Sequence, residues 1–211
     1  MNARIRTLVR TPWFWGLVGI VLLLAINTIK DPTYLAIGIN PTTGLLAGNV
    51  LDILRVSSPI IMIALGMTFV IATSGIDLSV GSIMAVGGAV AMVTLSEIGQ
   101  ADSIGAMAAA VGLAVLLGAV LGAINGLLVA VVGLQPFIST LVMMLAARGI
   151  ARVITGGQNT NATNEPFKQI ANGQFLGLPI SFVVASVLVG IVAIVMRRTA
   201  LGLMIESIGI N

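Results

Sequence analysis

The sequence predicts an all-α fold, a polytopic bundle of about six transmembrane helices. Three observations predict it. Of 211 residues, 58% are hydrophobic and only 8% are charged, and the mean hydropathy is +1.13, outside the range of water-soluble domains of this length. Apolar stretches of about 20 residues, long enough to cross a hydrocarbon core of roughly 30 Å, recur along the chain. The charged residues gather at the ends of these stretches, where topology signals belong.

The windows fall near residues 13–29, 53–73, 82–95, 104–132, 136–154 and 180–196. The third is short for a crossing, and the fourth is long enough to tilt. Arg4, Arg6 and Arg10 precede the first window, and Arg197 and Arg198 follow the last. The positive-inside bias therefore places both ends in the cytosol, which an even number of crossings satisfies. Residues 1–12 then form a cytosolic tail, 13–196 the transmembrane domain and 197–211 a second cytosolic segment. The outer loops hold Asp31, Glu97, Asp102 and Glu165, opposed by Lys30 and Lys168. Arg148 and Arg152, toward the outer end of the fifth window, run against the bias. Ala25-Ile26-Asn27 is a poor small-x-small cleavage site, so the first window reads as an uncleaved span.

Composition also removes functions. Without Cys or His, thiol nucleophiles, Cys/His zinc sites and imidazole acid/base chemistry are excluded. The seven acids, Asp31, Asp52, Asp77, Glu97, Asp102, Glu165 and Glu206, make no evident catalytic pair or metal cage. Neither enzyme chemistry nor a cofactor held by this chain is expected. The basic residues flank apolar segments, so the positive balance calls for no nucleic acid.

The segment Ala72-Thr73-Ser74-Gly75-Ile76-Asp77-Leu78-Ser79-Val80-Gly81-Ser82 places one carboxylate among small residues in an otherwise uncharged run from 56 to 96. A helix from 53 to 73 already spans about 31 Å, which puts Asp77 near the cytosolic face. There Asp77 or Ser79 is expected to cap the third span, accepting from free N–H groups of its first turn. The competing reading is a broken-helix site lining a path. On the fourth window Ala106, Ala110, Ala114, Gly118, Gly122 and Gly126 recur every fourth residue, a stripe on which another helix packs closely. Asn125 needs a partner if buried. Pro136 after Gly133-Leu134-Gln135 reads as a tight turn opening the fifth span. Arg148 and Arg152 share a helix face, either snorkelling to the surface or lining a path. Residues 155–179, rich in Gly, Asn, Thr and Gln, belong in an aqueous loop, a connector or a docking surface; Asn161-Ala162-Thr163 within it fits a weak glycosylation pattern.

Taken together, Gly66-Met67-Thr68 leading into 72–82, Asn125-Gly126, Gln135-Pro136-Phe137-Ile138 with Thr140-Leu141, Arg148-Gly149, Thr155-Gly156-Gly157-Gln158, and Thr199-Ala200-Leu201-Gly202 with Ile205 to Asn211 resemble the permease subunits of bacterial ABC sugar importers, the ribose, xylose and galactofuranose group. The last two motifs look closest to the galactofuranose branch. The resemblance implies the N-terminal part of a larger permease fold in the inner membrane. It implies a permease dimer, a separate ATP-binding subunit that holds ATP and Mg, and an external sugar-binding protein that delivers a pentose or hexose. Asp77, Ser79, Asn125 and Arg148 become candidate path or capping residues, and Ala114, Gly118, Gly122 and Gly126 packing residues. Glu206, Gly209 and Asn211 lead toward a cytosolic coupling helix. Relatives continue through that helix and further spans, so a chain ending at Asn211 is expected not to transport alone. Two other classes compete: an ion-coupled secondary transporter using Asp77, and a membrane scaffold packing through the small-residue stripe.

Overall fold

The computed structural model describes residues 11–210. Arg4, Arg6 and Arg10 of the N-terminal tail, and Asn211, lie outside the described residues. The chain forms two compact units, 1–54 and 55–211.

In the first unit, helix α1 (Pro12–Lys30) is opened by Thr11 and by Pro12, placed where a missing N–H costs nothing. A short hairpin follows, β1 (Gly38–Ile39) on β2 (Leu46–Ala47). Asn49 donates from Nδ2 to the Tyr34 carbonyl at 3.1 Å and ties the loop to the start of helix α2 (Asn49–Ala72), which runs on into the second unit.

The second unit is built on α3 (Val80–Ile98), α4 (Ile104–Ala130) and α5 (Pro136–Ile154), with the short α6 (Glu165–Asn172), the hairpin β3 (Gln174–Phe175) and β4 (Leu178–Pro179), then α7 (Ile180–Arg198) and α8 (Ala200–Ile210). Among the described residues six helices, α1 to α5 and α7, are long and apolar enough to cross a membrane. The fold is the expected all-α polytopic bundle. One expectation needs correction: the third span is not short, because its helix runs 19 residues, about 28 Å. It starts two residues earlier and ends three later than the apolar window, stopping where Gly99 takes φ +64.

The core sits where α3 meets α4 and α5. Val86 and Val90 of α3, Leu121 of α4, and Met143 and Ala147 of α5 form one buried cluster. Ala91 and Leu95 meet Ala106 and Ala110 in a second. A third of the apolar window of α3 is buried, against 6% for α2 and for α7. Small residues let the α3 and α4 backbones approach, which is how helices gain packing energy in lipid: a Cβ on Gly87 would stand 3.8 Å from the Ala114 Cβ, and one on Gly118 would stand 3.8 Å from the Ile83 methyl.

Within this chain the α3–α4 contact follows only the first part of the stripe on α4. Gly122 and Gly126 are exposed, with nothing within 4 Å of where a Cβ would be. Residues four apart drift about 40° per step around a helix, so the stripe turns away from α3. The buried seam continues instead through Leu121 and Asn125, a three-residue step that corrects the drift.

Candidate functional site

The break between α2 and α3 begins with a helix stop read directly from backbone hydrogen bonds. Gly75 N donates to Val70 O at 2.8 Å and Ser74 N to Ile71 O at 2.9 Å, the paired bonds of a Schellman end. Ser74 sits in the left-handed position at φ +58, a conformation that costs a non-glycine residue on the order of 1 kcal/mol. The chain then runs without helix to Val80.

Within that stretch Asp77 Oδ1 accepts two bonds from Ser79, from N at 2.7 Å and from Oγ at 2.6 Å. Neither side chain caps the first turn of α3 in the expected way. Ser79 is the N-cap residue, but its backbone is helical and its hydroxyl is committed to Asp77. The N–H groups of Ser82 and Ile83 are taken by the Ser79 carbonyl, each at 2.9 Å. Asp77 thus fixes the N-cap residue itself, one step before the turn it was expected to cap.

The Ser79 hydroxyl also accepts. Asn125 of α4 donates to it from Nδ2 at 3.1 Å, and Asn125 Oδ1 in turn accepts from Ser139 Oγ of α5 at 2.7 Å. Beside them the Thr140 hydroxyl lies 2.9 Å from the Pro136 carbonyl and 3.4 Å from that of Ile76. Ser79 is 0% exposed, Ser139 2%, Thr140 5% and Asn125 6%; Asp77 is half-buried. Unpaired polar groups are costly at such burial; Ser79, Asn125 and Ser139 pair with one another, and Thr140 with backbone carbonyls. The chain Asp77, Ser79, Asn125, Ser139 links the break to both neighbouring helices. The turn Val131–Gln135 brings Asn125 and Ser139 together: Gly133 takes φ +81, Leu134 N bonds to Leu128 O at 3.0 Å, and Pro136 opens α5. Ser139 was not singled out by the sequence.

Arg148 is not part of this cluster. It is exposed on α5, about 18 Å along the helix from Pro136, and Arg152, one turn further, lines a shallow groove with Gly88, Gln158 and Asn159. Glu206 is exposed on α8 and borders a groove of about 870 Å³ with Ala72, Arg197 and Arg198; Gly209 lies in the same helix. Next to them Gly202 is buried against the Met196 carbonyl, where a side chain would collide with backbone, so the break at Thr199 brings α8 close to the end of α7.

At the other end of the α3–α4 pair a residue the sequence reading passed over holds three elements. Asn164 is 1% exposed. Its Nδ2 donates to the carbonyls of Gln100 at 3.0 Å and Ser103 at 3.1 Å, while its Oδ1 accepts from Phe167 N at 2.9 Å and caps α6. Its signal was Asn followed by Glu-Pro, the pattern of an N-cap before a first-turn proline.

Chemically the cluster is one carboxylate with hydroxyls and an amide, and among the described residues no group of His, Cys, Asp or Glu is placed to hold a metal ion. Ser79, Asn125 and Ser139 spend their side-chain polar atoms on one another and on Asp77 Oδ1. The arrangement is a latch between helices, in a protein whose six long apolar helices define a multi-pass membrane protein. The chain belongs to the permease family described as the permease component of the branched-chain amino acid transport system, whose model matches residues 49–211. It is 49% identical over its whole length to a fructose import permease of Bifidobacterium longum, covering 58% of that protein. It is 36% identical to a galactofuranose transporter permease of Escherichia coli, over 92% of this chain and 55% of the relative. A ribose import permease of E. coli is also 36% identical, over 93% of this chain and 57% of the relative. The fructose permease is thus more similar than the galactofuranose one, toward which the motifs at 199–211 point. The chain spans 55 to 58% of the length of these relatives. No solved structure matches it.

Proposed function

We propose that this chain is permease sequence of an ATP-driven importer for a monosaccharide, seated in the bacterial inner membrane with its N-terminus in the cytosol. The observation that carries this reading is 49% identity along the whole chain to a sugar import permease, and the family match over 49–211 supports it. Relatives named for three different sugars support monosaccharide import as the shared activity. On this reading ATP and Mg are bound by a separate ATP-binding subunit, a sugar-binding protein delivers the solute from outside, and a second permease copy completes the membrane part. Asp77, Ser79, Asn125 and Ser139 hold the α2–α3 break in register with α4 and α5 and contact no sugar themselves.

The test is assembly in vesicles. A sugar-binding protein from the same genome should be retained by vesicles only when they contain the chain, and an ATP-binding subunit only when the chain is extended through the coupling helix that its relatives carry. Sugar flux driven by an ion gradient, with no ATP-binding subunit needed, would instead establish the ion-coupled alternative.

A further inference from the structure

The hairpin before α7 is built inside out. Register pairs Gln174 with Pro179 and Phe175 with Leu178, and paired residues share a face of a two-stranded ribbon. The Gln174/Pro179 face turns inward, with Pro179 fully buried, whereas Phe175 is 58% exposed and Leu178 41%. A hairpin standing in water normally carries polar residues on its open face; here that face is apolar. The turn repeats the anomaly. Leu176 and Gly177 take φ +51 and +81, the signs of a type I′ turn, which favours Asn-Gly. A leucine at the first position is strained, and at 89% exposure it makes almost no internal contact in return.

The base of the hairpin is fixed. Gly173 is buried against the Gln169 carbonyl and the Ile180 side chain, and its carbonyl accepts from Ile180 N at 3.0 Å. Any surface that receives the tip is therefore registered directly to the start of α7. The hairpin and the helix after it carry no charge of their own, since no Asp, Glu, Lys or Arg occurs from 169 to 196; the cation beside them is Arg55 of α2, which donates to the Asn172 carbonyl at 3.5 Å, at the base rather than the tip. The apolar face is continuous in sequence with a helix whose Val184, Val187, Ile191 and Ile194 are exposed. The aqueous side is marked by α6, where Lys168 and Glu165 pair at 2.7 Å while half exposed.

We propose that the hairpin 173–180 is a membrane-interface anchor, with Phe175, Leu176 and Leu178 seated at the boundary of headgroups and acyl chains beside the first turn of α7. Lipid is the occupant the chemistry favours, since an uncharged apolar face joined to a lipid-length helix needs hydrocarbon rather than a charged protein surface. The contact fixes the depth of α7 and compensates the strained turn.

The chain has no cysteine, so Leu176→Cys and Phe175→Cys give unique spin-label sites in the full chain, with Asn161→Cys as the aqueous control. In phosphatidylcholine and phosphatidylglycerol vesicles the labels at 175 and 176 should collide readily with oxygen and be shielded several-fold from a water-soluble nickel chelate, the reverse of 161. Leu176→Asn, which suits the turn, should shift the label at 175 toward water. Nickel-accessible labels at both 175 and 176 would overturn the proposal. So would shielding that develops only when a sugar-binding protein is added, which would make the face a protein docking site.

Discussion

Asp31-Pro32-Thr33 and Asp77-Leu78-Ser79 build the same local motif in two settings. In each, one carboxylate oxygen accepts both the N–H and the hydroxyl of the residue two ahead, at 2.9 and 2.6 Å in the first and at 2.7 and 2.6 Å in the second. The first stands open to water at the end of α1. In the second, the hydroxyl is wholly buried and passes the chain on to Asn125 and Ser139. The turn is a property of three residues; the latch is a property of where α4 and α5 bring their own polar groups. An aspartate turn in solvent contributes little beyond local order, whereas one that reaches two other helices fixes their register.

The largest break in this contrast comes from Asn125→Ala, which strips partners from both Ser79 and Ser139. It should destabilise the chain by about 1 to 2 kcal/mol, the upper range for interhelical hydrogen bonds in membranes, measured by reversible unfolding in mixed detergent. Ser139→Ala leaves the Asp77–Ser79 turn intact and should cost about 0.6 kcal/mol in the same assay. The smallest effect belongs to Thr33→Ala, with no measurable change in unfolding. Its readout is titration: the hydroxyl and N–H of Thr33 hold the Asp31 carboxyl below its ordinary value, so losing the hydroxyl should raise it, as followed by carboxyl NMR. A depressed carboxylate contributes order that is present above its unfolded value and is lost as pH falls through the folded one. The Asp31 turn should therefore loosen only on acidification below the usual carboxylate range.

The long helices were legible because a span needs only length and apolarity, and both are local. The break at 72–80 was legible for the same reason, since Ser74, Gly75 and Asp77 cannot continue an apolar helix. Ser139 was not, because its pairing with Asn125 depends on the Gly133 turn aligning two helices, and no spacing rule expresses that alignment. Beyond Gly118 the small-residue stripe leaves the α3 contact, because a strict four-residue repeat drifts off the line that Leu121 and Asn125 keep. Asn164 carried a readable capping pattern, but within a polar loop that pattern does not reveal the carbonyls of Gln100 and Ser103 waiting for its amide. The helix α6 and the β3–β4 hairpin are too short for periodicity to declare them.

The most direct test of the latch is a double-mutant cycle on Ser79→Ala and Asn125→Ala, read by unfolding free energy in mixed detergent. Direct bonding across α3 and α4 predicts a coupling of about 0.5 to 1.5 kcal/mol. Strict additivity of the two substitutions would contradict it, and would reduce Asp77 and Ser79 to the same isolated turn that Asp31 and Thr33 make in water.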